Sequence, residues 1–262
     1  MSLVLYERHD HVGLITLNNP SRLNALGTPL LNDFNSTLDS AIDDPDISVI
    51  VLTGSGRAFC AGDDLQEFDW DNVSEDAVRT HIEAIQAVTN RLMGCDKPVV
   101  GAIHGYAVGG GFEWLLNCDL VVAADNLIAF FPEMDWGFFV TGGVTHLLPQ
   151  AIGHQKATEL LLLGERQTAD VLHRLGLVNW VVPQHDMLGK AMEVAAQIAT
   201  KSRPSVARLK TMLSKDLAPG LWKAVKLEEQ ATIDAFLRPD SKERAQRFTA
   251  QREAKKSASS SS

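Results

Sequence analysis

The run Pro98-Val99-Val100-Gly101-Ala102-Ile103-His104-Gly105-Tyr106-Ala107-Val108-Gly109-Gly110-Gly111-Phe112-Glu113 passes from an apolar stretch through a glycine-rich turn into a helix bearing Leu115 and Leu116. A continuous apolar run of this length marks a strand buried on both faces, as in a parallel sheet covered by helices. The same arrangement occurs upstream. The apolar run at residues 47–52 is followed by Thr53-Gly54-Ser55-Gly56-Arg57-Ala58-Phe59-Cys60-Ala61-Gly62-Asp63-Asp64-Leu65.

Outward from these two loops, residues 4–8 and 12–17 read as a β-hairpin joined by a polar turn at Asp10-His11. A helix is expected next, with Thr28 as N-cap, Pro29 at the first helical position, and Leu30, Leu31, Phe34, Leu38 and Ile42 at helical spacing. Ser74 is placed to cap a second helix with Val78, Ile82, Ile85, Val88 and Leu92 on one face. Residues 119–124, 128–130 and 178–182 read as strands, and 155–163 and 168–175 as helices, the latter ended by Gly176. From Arg203 onward the pattern is helical. Strands alternating with helices and then helices alone predict an α/β fold with a helical C-terminal region. The expected division is residues 1–200 for the core, 201–256 for the helical region and 257–262 for a disordered serine-rich tail.

The 262 residues are 45% hydrophobic and 22% charged, enough apolar material for one large core without disulfide or metal staples. The net charge of −9 argues against a nucleic-acid or anionic-membrane partner, since phosphate-rich surfaces need a basic face. Three cysteines, Cys60, Cys95 and Cys118, show no paired spacing, which predicts reduced thiols and a cytoplasmic location. The eight histidines are scattered, so no metal is expected. No apolar run is long enough for a transmembrane helix, and no signal peptide is seen. Residues 63–76 carry seven acids and no base and read as a solvated loop, whereas residues 242–256 hold six bases against two acids.

Neither glycine-rich loop matches a dinucleotide or P-loop pattern. Taken singly, each reads equally as a tight strand-to-helix turn. Glycine nevertheless lets backbone approach a ligand closely, and a helix starting at Gly110 or Gly111 directs unpaired N–H groups toward it. One amide from each loop could together hold an oxyanion. Glu113 lies three residues after Gly110, on the same side of the helix, although a first-turn acid also simply suits the helix dipole. Glu133, in Phe130-Phe131-Pro132-Glu133-Met134-Asp135-Trp136-Gly137, is a lone acid among aromatics, a setting that raises a carboxyl pKa toward neutrality; alternatively it is a surface residue before a turn.

The pairing of Arg57-Ala58-Phe59-Cys60-Ala61-Gly62-Asp63-Asp64-Leu65 with Gly105-Tyr106-Ala107-Val108-Gly109-Gly110-Gly111-Phe112-Glu113 resembles the crotonase (enoyl-CoA hydratase/isomerase) superfamily. Asn19-Pro20-Ser21-Arg22-Leu23-Asn24-Ala25-Leu26, Pro132-Glu133, and Ala169 through Gly176-Leu177-Val178 resemble it too, in order along nearly the whole chain. The resemblance implies a crotonase-like spiral of ββα turns with a C-terminal helical trimerisation region, forming a homotrimer or a hexamer. It implies an acyl-CoA thioester substrate, with coenzyme A as part of the substrate and no separate cofactor. The backbone N–H groups of Asp63 and Gly110 would form the oxyanion hole. Glu113 and Glu133 would handle one water, Glu113 as its base and Glu133 as the acid toward Cα. Arg22, Ala61, Asp64, Leu65, Phe138, Phe139 and Phe248 fall at substrate-binding positions.

Retention of both glutamates favours a hydro-lyase acting on a 2-enoyl-CoA in fatty acid metabolism. A Δ3-Δ2 enoyl-CoA isomerase, which relies on the Glu133 position alone, is the alternative, followed by a non-catalytic acyl-CoA-binding protein. Against the family pattern, residues 137–143 are one shorter, and the bulky Phe138 and Phe139 bear on acyl chain length. Asp63 stands where a small residue is common, and its side chain is expected to point to solvent. Gln251 stands where a basic residue is common, with Arg252 or Lys255 as substitutes. Arg22, Lys242 and Arg247 are further candidates for the CoA phosphates.

Overall fold

The computed structural model of the chain describes residues 2–72, 74–216, 218–247 and 250. The hairpin forms as read: β1 (Val4–His9) pairs antiparallel with β2 (Val12–Leu17), Val4 opposite Leu17. Helix α1 (Thr28–Asp43) leads to β3 (Val49–Gly54), α2 (Glu75–Gly94) to β4 (Val99–Ile103), and β5 (Tyr106–Val108) to α3 (Gly110–Asn117). Next come β6 (Leu120–Ala124), β7 (Ile128–Phe130), the short α4 (Glu133–Trp136), α5 (Val144–Ile152) and α6 (His154–Leu163). Then follow β8 (Gln167–Thr168), α7 (Ala169–Arg174), β9 (Trp180–Val182), α8 (Gln184–Ala199), α9 (Arg203–Thr211) and α10 (Pro219–Phe236).

Among the described residues, six strands form one sheet in the order β1-β2-β3-β4-β6-β9, parallel from β2 onward, and three form a second in the order β5-β7-β8. Successive turns of chain put one strand in each sheet and then a helix, as in β4-β5-α3 and β6-β7-α4. This is the ββα spiral of the crotonase fold.

The strands of the large sheet are apolar throughout because both of their faces are covered. Val49, Val51, Val100, Ala102, Val122 and Ala124 pack against Met187, Ala191, Val194 and Ala195 of α8. The alternating Ile50, Leu52, Ile103, Val121 and Ala123 face the main core. Helix α8 was not foreseen from the sequence. Its buried stripe is built largely of small residues, which carry little hydrophobic contrast.

Two expectations are corrected. Thr28 is the first residue of α1 rather than its cap; Gly27 holds the cap position, and the Glu67 carboxylate accepts the Thr28 N–H at 2.7 Å. An acid from a distant loop thereby serves the helix terminus in place of a local hydroxyl. The acidic stretch is not simply a solvated loop either, since Asp64, Leu65 and Trp70 are all under 9% exposed. Trp70 Nε1 donates to Leu65 O at 3.0 Å, folding the segment onto the core with Glu67, Asp69 and Asp71 outward.

Lys210 on α9 ties the C-terminal region to the core. Its buried Nζ donates to Leu92 O at 2.7 Å and Lys97 O at 2.8 Å and pairs with Asp119 at 2.9 Å. One cation thus satisfies a carbonyl in the C-terminal turn of α2 and another just beyond it, where positive charge is favoured. Lys210→Met keeps the stem but takes the ammonium donor from those carbonyls and leaves the Cys95 thiol as the side chain near them. It should cost about 3 kcal/mol in urea unfolding, as expected when one partner of a buried pair is removed.

Candidate active site

The two glycine-rich loops lie side by side. Phe59 N donates to His104 O, Cys60 N to Tyr106 O and Val108 N to Cys60 O, each at 3.0 Å, so residues 59–60 run as a short parallel ribbon along β5. The segment after β2 clamps the first loop. Asn24, fully buried and in the left-handed region at φ 55°, reaches Ala58 O at 2.9 Å and Phe59 O at 3.0 Å through Nδ2. Leu26 N donates to Gly62 O at 2.9 Å and Asp64 N to Leu26 O at 3.3 Å.

These contacts satisfy the groups on either side of Asp63 and leave its own N–H without a protein acceptor among the described residues. Gly110 opens α3, and its N–H is likewise unpaired, as first-turn amides are. The ribbon therefore brings two free donors to one place, an arrangement suited to developing negative charge on oxygen.

Glu113, one turn into α3, is 2% exposed. Its carboxylate accepts Thr141 N at 2.7 Å and the Thr141 hydroxyl. Burial pushes its pKa up to about 8, against the opposing pull of the Thr141 hydrogen bonds and with added repulsion from Glu228 and Asp63. Gly142 packs on this side chain: a Cβ there would lie 2.8 Å from Glu113 Cβ, and its φ of +71° disfavours any side chain.

Glu133 opens α4, and its Oε2 is buried without a hydrogen-bond partner. Its pKa is raised well above the usual carboxylate range, by burial first and then by the Glu113 charge. Its Oε1 lies against Gly109, where a Cβ would collide with it and where φ is +52°. The two carboxyl groups thus flank the step from Gly109 to Gly110, which supplies one of the free amides. Neighbouring acids that each favour the protonated form can hold and move protons near neutral pH.

The sequence offered no sign of the framework behind Glu113. Gly142 N donates to Gln86 at 3.2 Å, Asn117 Nδ2 to Gly142 O at 2.8 Å, and Gly143 N to Glu228 at 2.7 Å. Gln86, Asn117 and Glu228 sit on α2, α3 and α10, so three helices fix the loop that presents Thr141. Phe138 is buried beside Trp70 and Phe236, with ring centroids 5.9 and 4.2 Å away and planes within 15° of parallel, and those two rings also touch each other at 6.0 Å. Phe139 packs against the main core, its carbonyl accepting Thr232 Oγ1 at 3.3 Å.

At the mouth is a cavity of about 300 Å³ lined by Arg22, Arg57, Ala61, Asp63, Leu65 and Trp136, among others. Asp64 also lines it and holds Arg22 through Nε at 3.1 Å and through Nη2. Of the other basic candidates, Lys242 pairs with Asp71 at 3.0 Å and Arg247 with Glu243 at 3.7 Å. Arg57 was not singled out from the sequence. It is exposed at this cavity, and among the described residues no carboxylate pairs with it. Phe248, Gln251, Arg252 and Lys255 lie outside the described residues.

The Asp63 carboxylate does not point freely to solvent. It turns toward His81 of α2, with Oδ1 3.4 Å from Nε2 and only 23% of the side chain exposed. Its charge adds to the upward push on both glutamates. Among the described residues, no cluster of His, Cys, Asp and Glu could ligate a metal, and no helix is long and apolar enough to cross a membrane.

Residues 7–257 match the enoyl-CoA hydratase/isomerase family. The chain is 33% identical over 246 residues to the "Probable enoyl-CoA hydratase, mitochondrial" of Dictyostelium discoideum, covering 94% of this chain and 87% of that one. It is 34% identical over 230 residues to the 2,3-dehydroadipyl-CoA hydratase of Escherichia coli, covering 88% and 89% of the two chains. The crystal structure of an enoyl-CoA hydratase from Bacillus anthracis superposes with a TM-score of 0.78 at 31% identity, covering 95% and 96%. Fold, sequence and the pairing of two glycine loops with two glutamates agree, and the chain belongs to the enoyl-CoA hydratase/isomerase family.

Proposed function

We propose that the protein is an enoyl-CoA hydratase that adds water to a 2-enoyl-CoA thioester or removes it from the product. The observation that carries the reading is the placement of the buried Glu113 and the half-buried Glu133, whose Oε2 is itself buried, on either side of the Gly109-Gly110 step, with both carboxyl groups raised in pKa. A thioester carbonyl accepting the amides of Asp63 and Gly110 would present its double bond to both carboxyl groups. Glu113, in the ionised form that its Thr141 hydrogen bonds favour, takes a proton from water as the oxygen bonds to Cβ. The electrons of the double bond move onto the carbonyl oxygen as an enolate held by the two amides. Glu133, protonated, then delivers its proton to Cα, and the reverse sequence dehydrates. A dry, preorganised pair of donors stabilises such an oxyanion far better than water does.

In this reading Ala61 and Leu65 line the path of the thioester, and Arg57 with Arg22 faces the CoA phosphates as bidentate guanidinium donors. Exposed Leu209, Leu213 and Leu227, each 60% exposed or more, are a natural contact for other copies in a homotrimer or a dimer of trimers. Three unpaired cysteines suit a reducing cytoplasm, and the chemistry requires no cofactor beyond the CoA of the substrate.

The isomerase reading is favoured by one observation. Glu133 alone has a carboxyl oxygen without a partner, whereas Glu113 is engaged by Thr141. Incubation with crotonyl-CoA, following loss of the conjugated thioester absorbance, separates the two. Turnover that requires both glutamates is expected. No hydration of short or medium enoyl-CoAs, together with isomerisation of a 3-enoyl-CoA that survives Glu113→Ala, would transfer the assignment to an isomerase.

A further inference from the structure

We infer that His81 is a positioning residue of the oxyanion site: it holds the carboxylate of Asp63 away from the carbonyl oxygen that the Asp63 amide receives. The inference rests on the oxyanion role proposed above for that amide.

Asp63 carries two groups with opposite consequences for an enolate. Its N–H is a free donor, but its carboxylate brings negative charge onto the same residue. The backbone of residue 63 cannot turn to separate them, because Leu26 grips both Gly62 O and Asp64 N. Only the side-chain torsions are left. They carry the carboxylate to His81, whose side chain is 4% exposed and whose Nε2 stands 3.4 Å from Oδ1.

The imidazole is itself fixed. Phe68 packs against it at 5.0 Å with the ring planes at 88°, and α2, capped by Ser74, holds its backbone. A buried histidine so placed offers an N–H, or a full positive charge when protonated, to a carboxylate that otherwise faces Glu113 and Glu133. That the Asp63 charge already contributes to the raised pKa of both glutamates indicates that its field reaches the reacting atoms. Without His81 the carboxylate is free to swing into the substrate cavity, which Asp63 lines, and to repel the developing oxyanion.

If His81 acts through Asp63, removing the carboxylate must relieve the effect of removing the imidazole. If His81 only fills space, the two losses are independent. The test compares His81→Leu, His81→Gln, Asp63→Ala and the double variant Asp63→Ala/His81→Leu. Two readouts are taken: kcat and KM for crotonyl-CoA, and the near-ultraviolet enolate absorbance of bound acetoacetyl-CoA.

In the wild-type background His81→Leu should lower kcat by about 10–100-fold with little change in KM. The same replacement in the Asp63→Ala background should cost less than about threefold. The enolate signal should weaken in His81→Leu and recover in the double variant. His81→Gln, which keeps a donor within reach of Asp63, should fall between. Should the leucine variant fail to fold, His81→Gln in the two backgrounds gives the same comparison. Equal losses in both backgrounds, or an unchanged kcat in His81→Leu, would overturn the assignment. If the wild type does not hydrate crotonyl-CoA, the cycle is decided on the enolate signal, which reads the oxyanion site whichever reaction follows.

Discussion

Glu133→Gln should lower kcat for crotonyl-CoA by about 10³-fold, the scale of losing a positioned general acid, while KM stays nearly unchanged. The amide matches the carboxyl in shape but has no proton to deliver to Cα. The same substitution should make the protein more stable in alkaline solution. A buried oxygen without a partner favours the neutral form, so ionising Glu133 works against the fold. For a carboxyl whose folded pKa is raised, the stability contribution is complete below the unfolded value and declines as pH rises through the folded value. Glu113 defines the window, running from the ordinary 4.5 to about 8. Glutamine at either position removes that residue's share of the decline. Thermal melts should therefore show little difference between wild type and Glu133→Gln near pH ~4 and a higher Tm for the variant near pH ~9. Glu113→Gln should show a smaller gain, because it forfeits part of the bonding to Thr141. Equal melting temperatures at alkaline pH would mean that the site relieves the charge in some other way. Loss of turnover with gain of stability is the mark of groups kept for chemistry at the expense of the fold.

The parts of this site that could be read from the sequence are those whose signals are local. The strands β3 and β4 show as apolar runs because both of their faces are covered, and the loops after them show as glycine clusters. Glu113 stands out because its distance from Gly110 is one helical turn. What could not be read depends on groups distant along the chain. Thr141 reaches Glu113 across 28 residues, Gln86 reaches Gly142 across 56, and Glu228 reaches Thr145 across 83. No periodicity or turn pattern records such pairings. Charge was misleading for a related reason. The acids of residues 63–76 suggested a hydrated loop, yet Asp64 is neutralised by Arg22, and Asp63 turns toward His81. Lys242 and Arg247, candidates for the CoA phosphates, have carboxylate partners, Asp71 and Glu243, that no local pattern discloses. Arg57, passed over as a motif residue, is the cation of this group that stands unpaired among the described residues.

For acyl chain length, Phe138 and Phe139 are a cue without a direction in the sequence alone. From Asp63 a chain of contacts runs through His81 to Phe68, then to Phe236 at 5.4 Å, and on to Phe138 at 4.2 Å. Phe138 N donates back to Glu133 O at 2.9 Å, so the arc begins at one proposed oxyanion residue and ends at the helix of the proposed acid. Trp70, Phe138 and Phe236 form a triangle of near-parallel rings, Trp70 and Phe236 themselves 6.0 Å apart, and the three rings come from three separate segments of chain. Close-packed rings do not yield to an extra methylene without strain. An acyl group extending past the double bond toward this wall would meet filled space. The wild-type kcat/KM should therefore fall by about 100-fold from crotonyl-CoA to dodecenoyl-CoA. Phe138→Ala would open a cavity in this ring cluster and should recover at least about tenfold for the longer substrate, while costing about 3 kcal/mol in stability. Phe138→Leu, a milder truncation, should move both quantities in the same directions by less. Equal turnover of short and long substrates by the wild type would show that the chain leaves by another route, and then the stack would matter only to folding.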